Sequence, residues 1–354
     1  MPTTLEDIAS ALNVSKMTVS RAINNHPEIS RETRARILAA ARKMNYRPNQ
    51  FARALTTNHS YLIGIVVPDL MHSYFSEICR GVESHARPEG YQNLICSTDE
   101  EPQKEMDEIE ALLSRTDGLI VASALSSKDL KFYRRLLNEG AKIVLIDRLL
   151  DGLRCSAVTT DDVQVGLLAT EHLIKLGHRR IGHLRGTNVS TSLERLQGYK
   201  QAISKAKLRF DKSLVRDCGY TEGDGYAAMK AWIAEGDLPS AIFAANDPAA
   251  IGAMAALADE GLNVPDDMAM VGAGRIHYGD MLRVPLTTIS WSTSAMGQAA
   301  AELLLELIDG KKTARRYRKI IVPPELVVRR SCGAVRATMR ITTPSVSEVS
   351  TTAR

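Results

Sequence analysis

The first fifty residues carry apolar positions at helical spacing. Leu5, Ile8, Ala9 and Leu12 fall at i, i+3, i+4 and i+7, one face of a helix. Thr4 precedes that face as an N-cap, and Asp7 three residues on makes a weak form of the capping box. Asn13 permits the turn that follows, because asparagine tolerates the left-handed region at low cost. A second helix opens at Ser15, another N-cap residue, and turns Val19, Ala22 and Ile23 inward. A third runs from Ser30, buries Ile37, Ala40, Ala41 and Met44, and stops before Pro48. Two short helices joined by a four-residue turn, with the small Ala9 at their crossing, match helix-turn-helix geometry.

From residue 61 the pattern changes to short apolar runs, as in YLIGIVVP, NLICST, GLIVAS, KIVLID, RIGHLRG, SAIFAAN, MAMVGAG and LTTISW. Each is expected to be followed by a helix-length amphipathic segment, for example residues 162–177, 191–207 and 247–261. That alternation predicts an α/β body of parallel sheets covered by helices on both faces. About 270 residues is large for one doubly wound sheet. The natural reading is therefore two lobes with a cleft, in which ligands lie beyond the carboxyl ends of the strands.

Charge sharpens this division. The 354 residues hold 45 Lys and Arg against 41 Asp and Glu, a formal net charge of +4. Residues 1–60 hold nine Lys or Arg against four acids, a net +5, and the last 24 residues carry +2. Residues 61–330 are left with −3, so a basic head precedes a mildly acidic body. Such a head points to nucleic acid, although a basic face is also compatible with simple solvation. No run approaches the roughly 20 apolar residues of a membrane span. MPTTLEDIAS lacks the basic start and apolar core of a signal peptide, and five scattered cysteines read as reduced thiols. A cytoplasmic protein is expected, without metal or cofactor.

Enzyme signatures do not accumulate. Gly272-Ala273-Gly274 follows a strand, but no third glycine completes a dinucleotide fingerprint. Walker, GxSxG and HExxH sequences are missing, and His178 in LGHRRIG suits a helix-to-strand turn. On the second helix Lys16, Met17, Ser20 and Arg21 point outward, with Thr18 near the turn. Lys and Arg suit guanine O6 and N7, Met17 a thymine methyl, and Thr18 and Ser20 phosphates. Periodicity and charge alone leave DNA reading and a three-helix packing module about equally open.

The segment TLEDIASALNVSKMTVSRAINNHPEISRETRARILAAARKMNYRPNQFARAL resembles the headpiece of the LacI/GalR family of bacterial transcription regulators. VSKMTVSRAIN and NYRPN…AR.L carry the likeness, which extends to about residue 332. The resemblance implies a helix-turn-helix headpiece over 1–48 and a hinge helix or linker over 49–60. It further implies a periplasmic-binding-protein-like body over 61–332, with the chain recrossing near 161 and 291. Residues 333–354, rich in Ser, Thr and Val, read as a disordered tail. The candidate DNA contacts are Thr4, Ser15, Lys16, Met17, Thr18, Ser20, Arg21, Asn24, Ser30, Thr33, Tyr46, Asn49, Ala52 and Leu55. Within the hinge, Asn49 caps, Ala52 lies against the groove floor, and Leu55 matches the family leucine that wedges into the minor groove.

The resemblance also marks an effector site. Tyr74 and Phe75 follow the first strand, Asp147 precedes Arg148 after the fourth, and Asp161 opens the next helix. Thr191 and Arg195 lie in TSLERLQGY, Tyr220 and Asn246-Asp247 on the far wall, and Trp291 where the chain recrosses. Each has a plainer account: Tyr74 and Phe75 suit a core, while Asp161 and Asp247 suit helix caps. Where the family usually has an aspartate, this chain has Gly274 followed by Arg275. Losing an acceptor and gaining a cation suggests an anionic effector clamped by Arg195 and Arg275; the alternative is that Arg275 faces solvent. The expectation is an effector-responsive repressor acting as a homodimer on a pseudo-palindromic operator. Its ligand would be a small polar metabolite: a sugar, sugar acid or sugar phosphate. The tail has no leucine, which predicts a dimer and not a leucine-joined tetramer. A solute-binding protein with the same body is the rival, and an enzyme on the same layout a third option.

Overall fold

The computed structural model describes residues 3–23, 25–46, 54, 57, 59–71, 73–310 and 317–334. The chain forms two compact units, residues 1–60 and 61–354. Asn24, Asn49, Ala52, Leu55 and the tail from 335 lie outside the described residues.

The first unit is built from α1 (Leu5–Leu12), α2 (Lys16–Ile23) and α3 (Arg31–Lys43). Its core is Ile8, Ala9, Val19, Ala22, Ile37 and Ala41, with Leu12, Val14 and Tyr46 packed against it. Local hydrogen bonds set the helix starts. Asp7 N–H donates to Thr4 Oγ1 and Thr4 N–H to Asp7 Oδ2, a complete capping box. Ser15 and Ser30 accept from the amides of Thr18 and Thr33. Asn13 ends α1 at φ +52°.

The body begins with β1 (Leu62–Val67), α4 (Ser73–Ala86), β2 (Gln92–Ser97), α5 (Pro102–Leu113) and β3 (Gly118–Val121). It continues through α6 (Leu130–Asn138), β4 (Ile143–Ile146), β5 (Ser156–Thr160) and α7 (Asp162–Lys175). Next come β6 (Ile181–Arg185), α8 (Ser190–Lys205), β7 (Val215–Asp217), α9 (Glu222–Glu235) and β8 (Ala241–Ala244). It ends with α10 (Asp247–Asp259), β9 (Ala269–Ala273), β10 (Thr287–Ser290), α11 (Thr293–Ile308), β11 (Lys319–Val322) and β12 (Glu325–Val327). Two six-stranded sheets result, ordered β11-β5-β4-β3-β1-β2 and β12-β10-β9-β8-β6-β7.

Among the described residues every pairing is parallel except β10 with β12, so the second sheet is mixed. The chain passes between sheets three times: after β5, after β10, and through Pro323-Pro324 between β11 and β12. The third passage has no counterpart in the sequence reading. Two runs are also not followed by helices: β4 leads through residues 147–155 to β5, and β9 through 274–286 to β10. Both loops leave carboxyl ends of strands, where ligand contacts are made. Strand β5 escapes an apolar search because its buried hydroxyls bond to main chain. Thr159 Oγ1 donates to Asp147 O (2.9 Å) and Thr160 Oγ1 to Val322 O (2.8 Å).

One core residue confers a pH dependence. His183 on β6 is fully buried and stacked between Tyr199 and Phe243, with ring centroids 5.4 and 4.7 Å away. Its Nδ1 bonds to Phe243 O at 2.9 Å. Burial drives the imidazole from its usual 6.5 to about 4. The unfolded chain therefore takes up a proton below pH 6.5 that the folded chain refuses until about pH 4. Stability present above pH 6.5 is lost as pH falls through that window. Thermal melts should show His183→Phe, which keeps a stacked ring, losing less stability than wild type between pH 7 and pH 5; equal losses would contradict this.

Candidate functional site

On the first unit, α2 projects Lys16, Met17 and Arg21 outward, and Met17 is 63% exposed. Ser20 is half-buried, and Thr18 shares a 2.8 Å hydrogen bond with Ser15. Both cations are tied to acids: Lys16 Nζ lies 3.5 Å from Glu6 and Arg21 Nη1 2.8 Å from Glu28. Thr4, Ser15 and Ser30 act as helix caps, Thr33 accepts a hydrogen bond from Ser30, and Tyr46 packs on the core. This face pairs an apolar methionine with guanidinium, ammonium and hydroxyl groups on one short helix, the equipment for base edges and phosphates.

In the body, a cavity of about 750 Å³ opens where the carboxyl ends of both sheets meet. Tyr74 and Phe75 reach it from the first turn of α4, their rings edge to face. Tyr74 OH donates to Asp147 Oδ1 (2.5 Å) and accepts from Trp291 Nε1 (3.1 Å). Burial, then the Asp147 charge, holds the Tyr74 hydroxyl well above the usual phenol range, so it stays a donor. Asp147 has φ +65°, and Asp99 and Glu100 on the same wall have φ +54° and +62°. Left-handed backbone at non-glycine residues costs about 1–2 kcal/mol each, and such strain gathers at functional sites.

Two guanidiniums enter the cavity, and each already has a carboxylate. Arg195 places Nε and Nη2 2.7 Å from Asp162 Oδ1, donates from Nη1 to Ala245 O (2.6 Å), and stacks 5.3 Å above Trp291. Arg148 donates from both terminal nitrogens to Glu100 at 2.6 Å and lies 5.0 Å over the Tyr220 ring. Burial pushes the Asp162 carboxyl up to about 7 against the opposing pull of Arg195. Thr191 Oγ1 and Tyr220 OH share a 3.2 Å hydrogen bond. Asn246 accepts from Ala249 N and donates to Tyr220 O. Asp247 accepts from Thr288 Oγ1 (2.6 Å) and Ile276 N (2.7 Å), and burial raises it to about 6.

Two sequence expectations need correction. Asp161 is exposed and caps α7 by accepting from Gln164 N (2.9 Å), outside the cavity. The helix begins at Asp162, the first residue of the expected segment, and Asp162 rather than its cap Asp161 turns inward. Arg275 is also exposed, at φ +50°, and lies in an adjoining groove with His277 and Arg329. The sequence reading missed Asp162 and Glu100. The signal for Asp162 was available: a buried arginine demands an anion, and the paired acids opening α7 supply one.

A helix-turn-helix unit joined to a two-lobed body with a polar, aromatic-walled cavity defines a DNA-binding regulator that answers to a small molecule. Comparison with known proteins bears this out. The family described as "Bacterial regulatory proteins, lacI family" matches residues 4–49, and "Periplasmic binding protein-like domain" matches residues 170–332. The HTH-type transcriptional repressor PurR of Haemophilus influenzae (strain PittEE) is 35% identical over 338 residues, 94% of this chain and 99% of that one. The HTH-type transcriptional regulator DegA of Bacillus subtilis (strain 168) is 34% identical, covering 94% and 98%. Among solved structures, the lac repressor dimer bound to operator and the anti-inducer ONPF aligns with a TM-score of 0.83 at 27% identity, covering 94% and 99%. A complex of the transcriptional regulator CelR with cellobiose aligns at 0.70 and 28% identity, covering 93% and 99%. The chain belongs to the lacI family of bacterial regulatory proteins. It is a DNA-binding transcriptional repressor controlled by a small-molecule effector, and not an enzyme.

Proposed function

We propose that this repressor binds a pseudo-palindromic operator as a homodimer and responds to a small, neutral, hydroxyl-bearing metabolite held between the lobes. The observation that carries the ligand class is the charge of the cavity. Seven carboxylates line it against two guanidiniums, and both guanidiniums are already paired with carboxylates. A ligand anion about 5 Å from one charged carboxylate meets roughly 3 kcal/mol of repulsion at an effective dielectric of 20. With Arg275 outside the cavity, a sugar fits better than a sugar acid or sugar phosphate. The aromatic walls of Tyr74, Phe75, Tyr220 and Trp291 suit the apolar faces of such a ring. The cellobiose bound to CelR is in keeping with this class.

Tyr74, Phe75, Asp147, Thr191, Arg195, Tyr220, Asn246, Asp247 and Trp291 are the proposed effector contacts. The outward side chains of α2, together with Asn24, Asn49, Ala52 and Leu55, are the proposed DNA contacts. The homodimer is supported by the likeness to the lac repressor dimer. Calorimetry on the full-length protein with neutral hexoses and disaccharides, hexuronic acids and hexose phosphates tests the ligand class. Neutral sugars should bind at least tenfold more tightly than their charged counterparts. Tight binding of an acid or phosphate with no response to neutral sugars overturns the reading.

A further inference from the structure

Of the two ion pairs on α2, the one at Arg21 is tied into the fold of the head. Arg21 sits in the last turn of α2 with its side chain exposed, and Nη1 donates to Glu28 Oε2 at 2.8 Å. Glu28 does not come from a flexible excursion. The loop that carries it is pinned to α2 by His26 N–H, which donates to Arg21 O (2.9 Å), and Ile29 N–H in turn donates to His26 O (3.2 Å). Arg34 of α3 fastens the same loop, donating from Nη2 to His26 O (2.6 Å) and Ile29 O (3.3 Å). Glu28 N–H also donates to His26 Nδ1 at 3.4 Å. The backbone that carries Glu28 is therefore fastened to both α2 and α3, and its exposed carboxylate lies within hydrogen-bond reach of Arg21.

We propose that Glu28 is a positioning residue for base reading: it fixes the Arg21 guanidinium so that its remaining N–H groups address one base pair in each half-site. This rests on Arg21 reading a base. A free arginine samples many rotamers, and ordering it on DNA costs side-chain entropy that a pre-set partner removes beforehand. A carboxylate near the DNA backbone also repels phosphates. It weakens binding to every sequence alike, while the arginine it orients favours one. Glu28 thus exchanges general affinity for discrimination. Lys16 and Glu6 lack this support: their separation is 3.5 Å against 2.8 Å, and Glu6 lies on the exposed side of α1.

The test is selection from a randomised duplex library by the full-length protein, read by sequencing bound and unbound DNA, with wild type, E28Q, E28D and R21A. Wild type should show a guanine preference at one position per half-site that R21A removes. E28Q should lower that preference by about tenfold, the lower range of a good arginine–guanine contact. Other positions should keep their preferences, and unrelated duplex should bind severalfold more tightly. E28D should restore the preference. An intact preference in E28Q, or equal weakening at every position, overturns the proposal while leaving Arg21 as a base reader. No loss of any base preference in R21A overturns both.

Discussion

Arg195→Met will destabilise the body by about 3–5 kcal/mol and abolish effector binding. The loss exceeds that of one ligand contact because Arg195 is the counter-ion of Asp162, which is only 1% exposed. Without the guanidinium that carboxylate is buried beside Asp147 with no compensating charge, and it must take up a proton. The pH dependence identifies the cause. Asp162 already titrates near 7 in the folded protein, above its usual 3.8, because burial disfavours the charged form. Removing the cation raises it further, so the variant should recover stability as pH falls below that raised value towards the 3.8 of the unfolded carboxyl. The His183 effect runs the other way and weakens the fold below pH 6.5. Asp162→Leu should be costly by the complementary route, leaving the buried guanidinium with Ala245 O and the Trp291 ring but no carboxylate in hydrogen-bond contact. The double variant should regain most of the loss, since replacing both partners of a buried pair is far cheaper than removing one. Urea titrations followed by tryptophan fluorescence measure all four corners of this cycle, with Trp291 beneath Arg195 as a local reporter. Additive losses would show that the pair is not a unit.

What the sequence makes legible here follows the range of the interaction. The head is readable because its determinants are local: Thr4, Ser15 and Ser30 cap helices within three residues of themselves. Eight body strands, β1–β4, β6 and β8–β10, are readable because each lies in a short apolar run. β7, β11 and β12 are short and only partly buried, and β5 is not readable because Ser156, Thr159 and Thr160 are buried with hydroxyls bonded to the main chain of distant segments. The cavity follows the same rule. Tyr74 on the first turn of α4, Arg195 on α8 and Trp291 just after β10 are legible one by one, and the fold joins them by hydrogen bonds and stacking. The start of α7 at residue 162 is legible, but that its first residue, and not the cap before it, faces Arg195 depends on a contact with a distant helix. Arg275 was misplaced because a left-handed backbone directs its side chain into another groove. The acidity of the cavity was invisible for a related reason. Asp69, Glu100, Asp147, Glu222 and Asp247 are far apart in sequence, and only the fold gathers them.

Gly166→Ala will cost about 2–4 kcal/mol, against the roughly 1 kcal/mol that alanine normally gains over glycine inside a helix. A methyl group at Gly166 would lie 2.0 Å from Arg195 O and 3.0 Å from Tyr199 N, so it meets backbone that cannot rotate aside. On the facing helix a methyl at Gly198 would lie 2.0 Å from Val163 O. The two glycines let α7 and α8 touch main chain to main chain. Asp162 lies one turn before Gly166, and Arg195 three residues before Gly198, so the same contact sets the 2.7 Å ion pair. Restoring an ordinary 3.4 Å separation moves the helices apart by more than an ångström and stretches that pair beyond hydrogen-bond reach. Effector affinity should therefore fall with stability, although Gly166 touches no ligand. Gly223→Ala is the control. It lies in the first turn of α9, where a methyl meets only Thr221 Oγ1 at 3.7 Å, so it should be neutral or slightly stabilising. Thermal melts and calorimetry on both variants separate the explanations. If Gly166→Ala behaves like Gly223→Ala, helix propensity governs the site and the close crossing does not position Arg195. If it melts early but binds effector normally, the crossing supports the lobe without setting the ion pair.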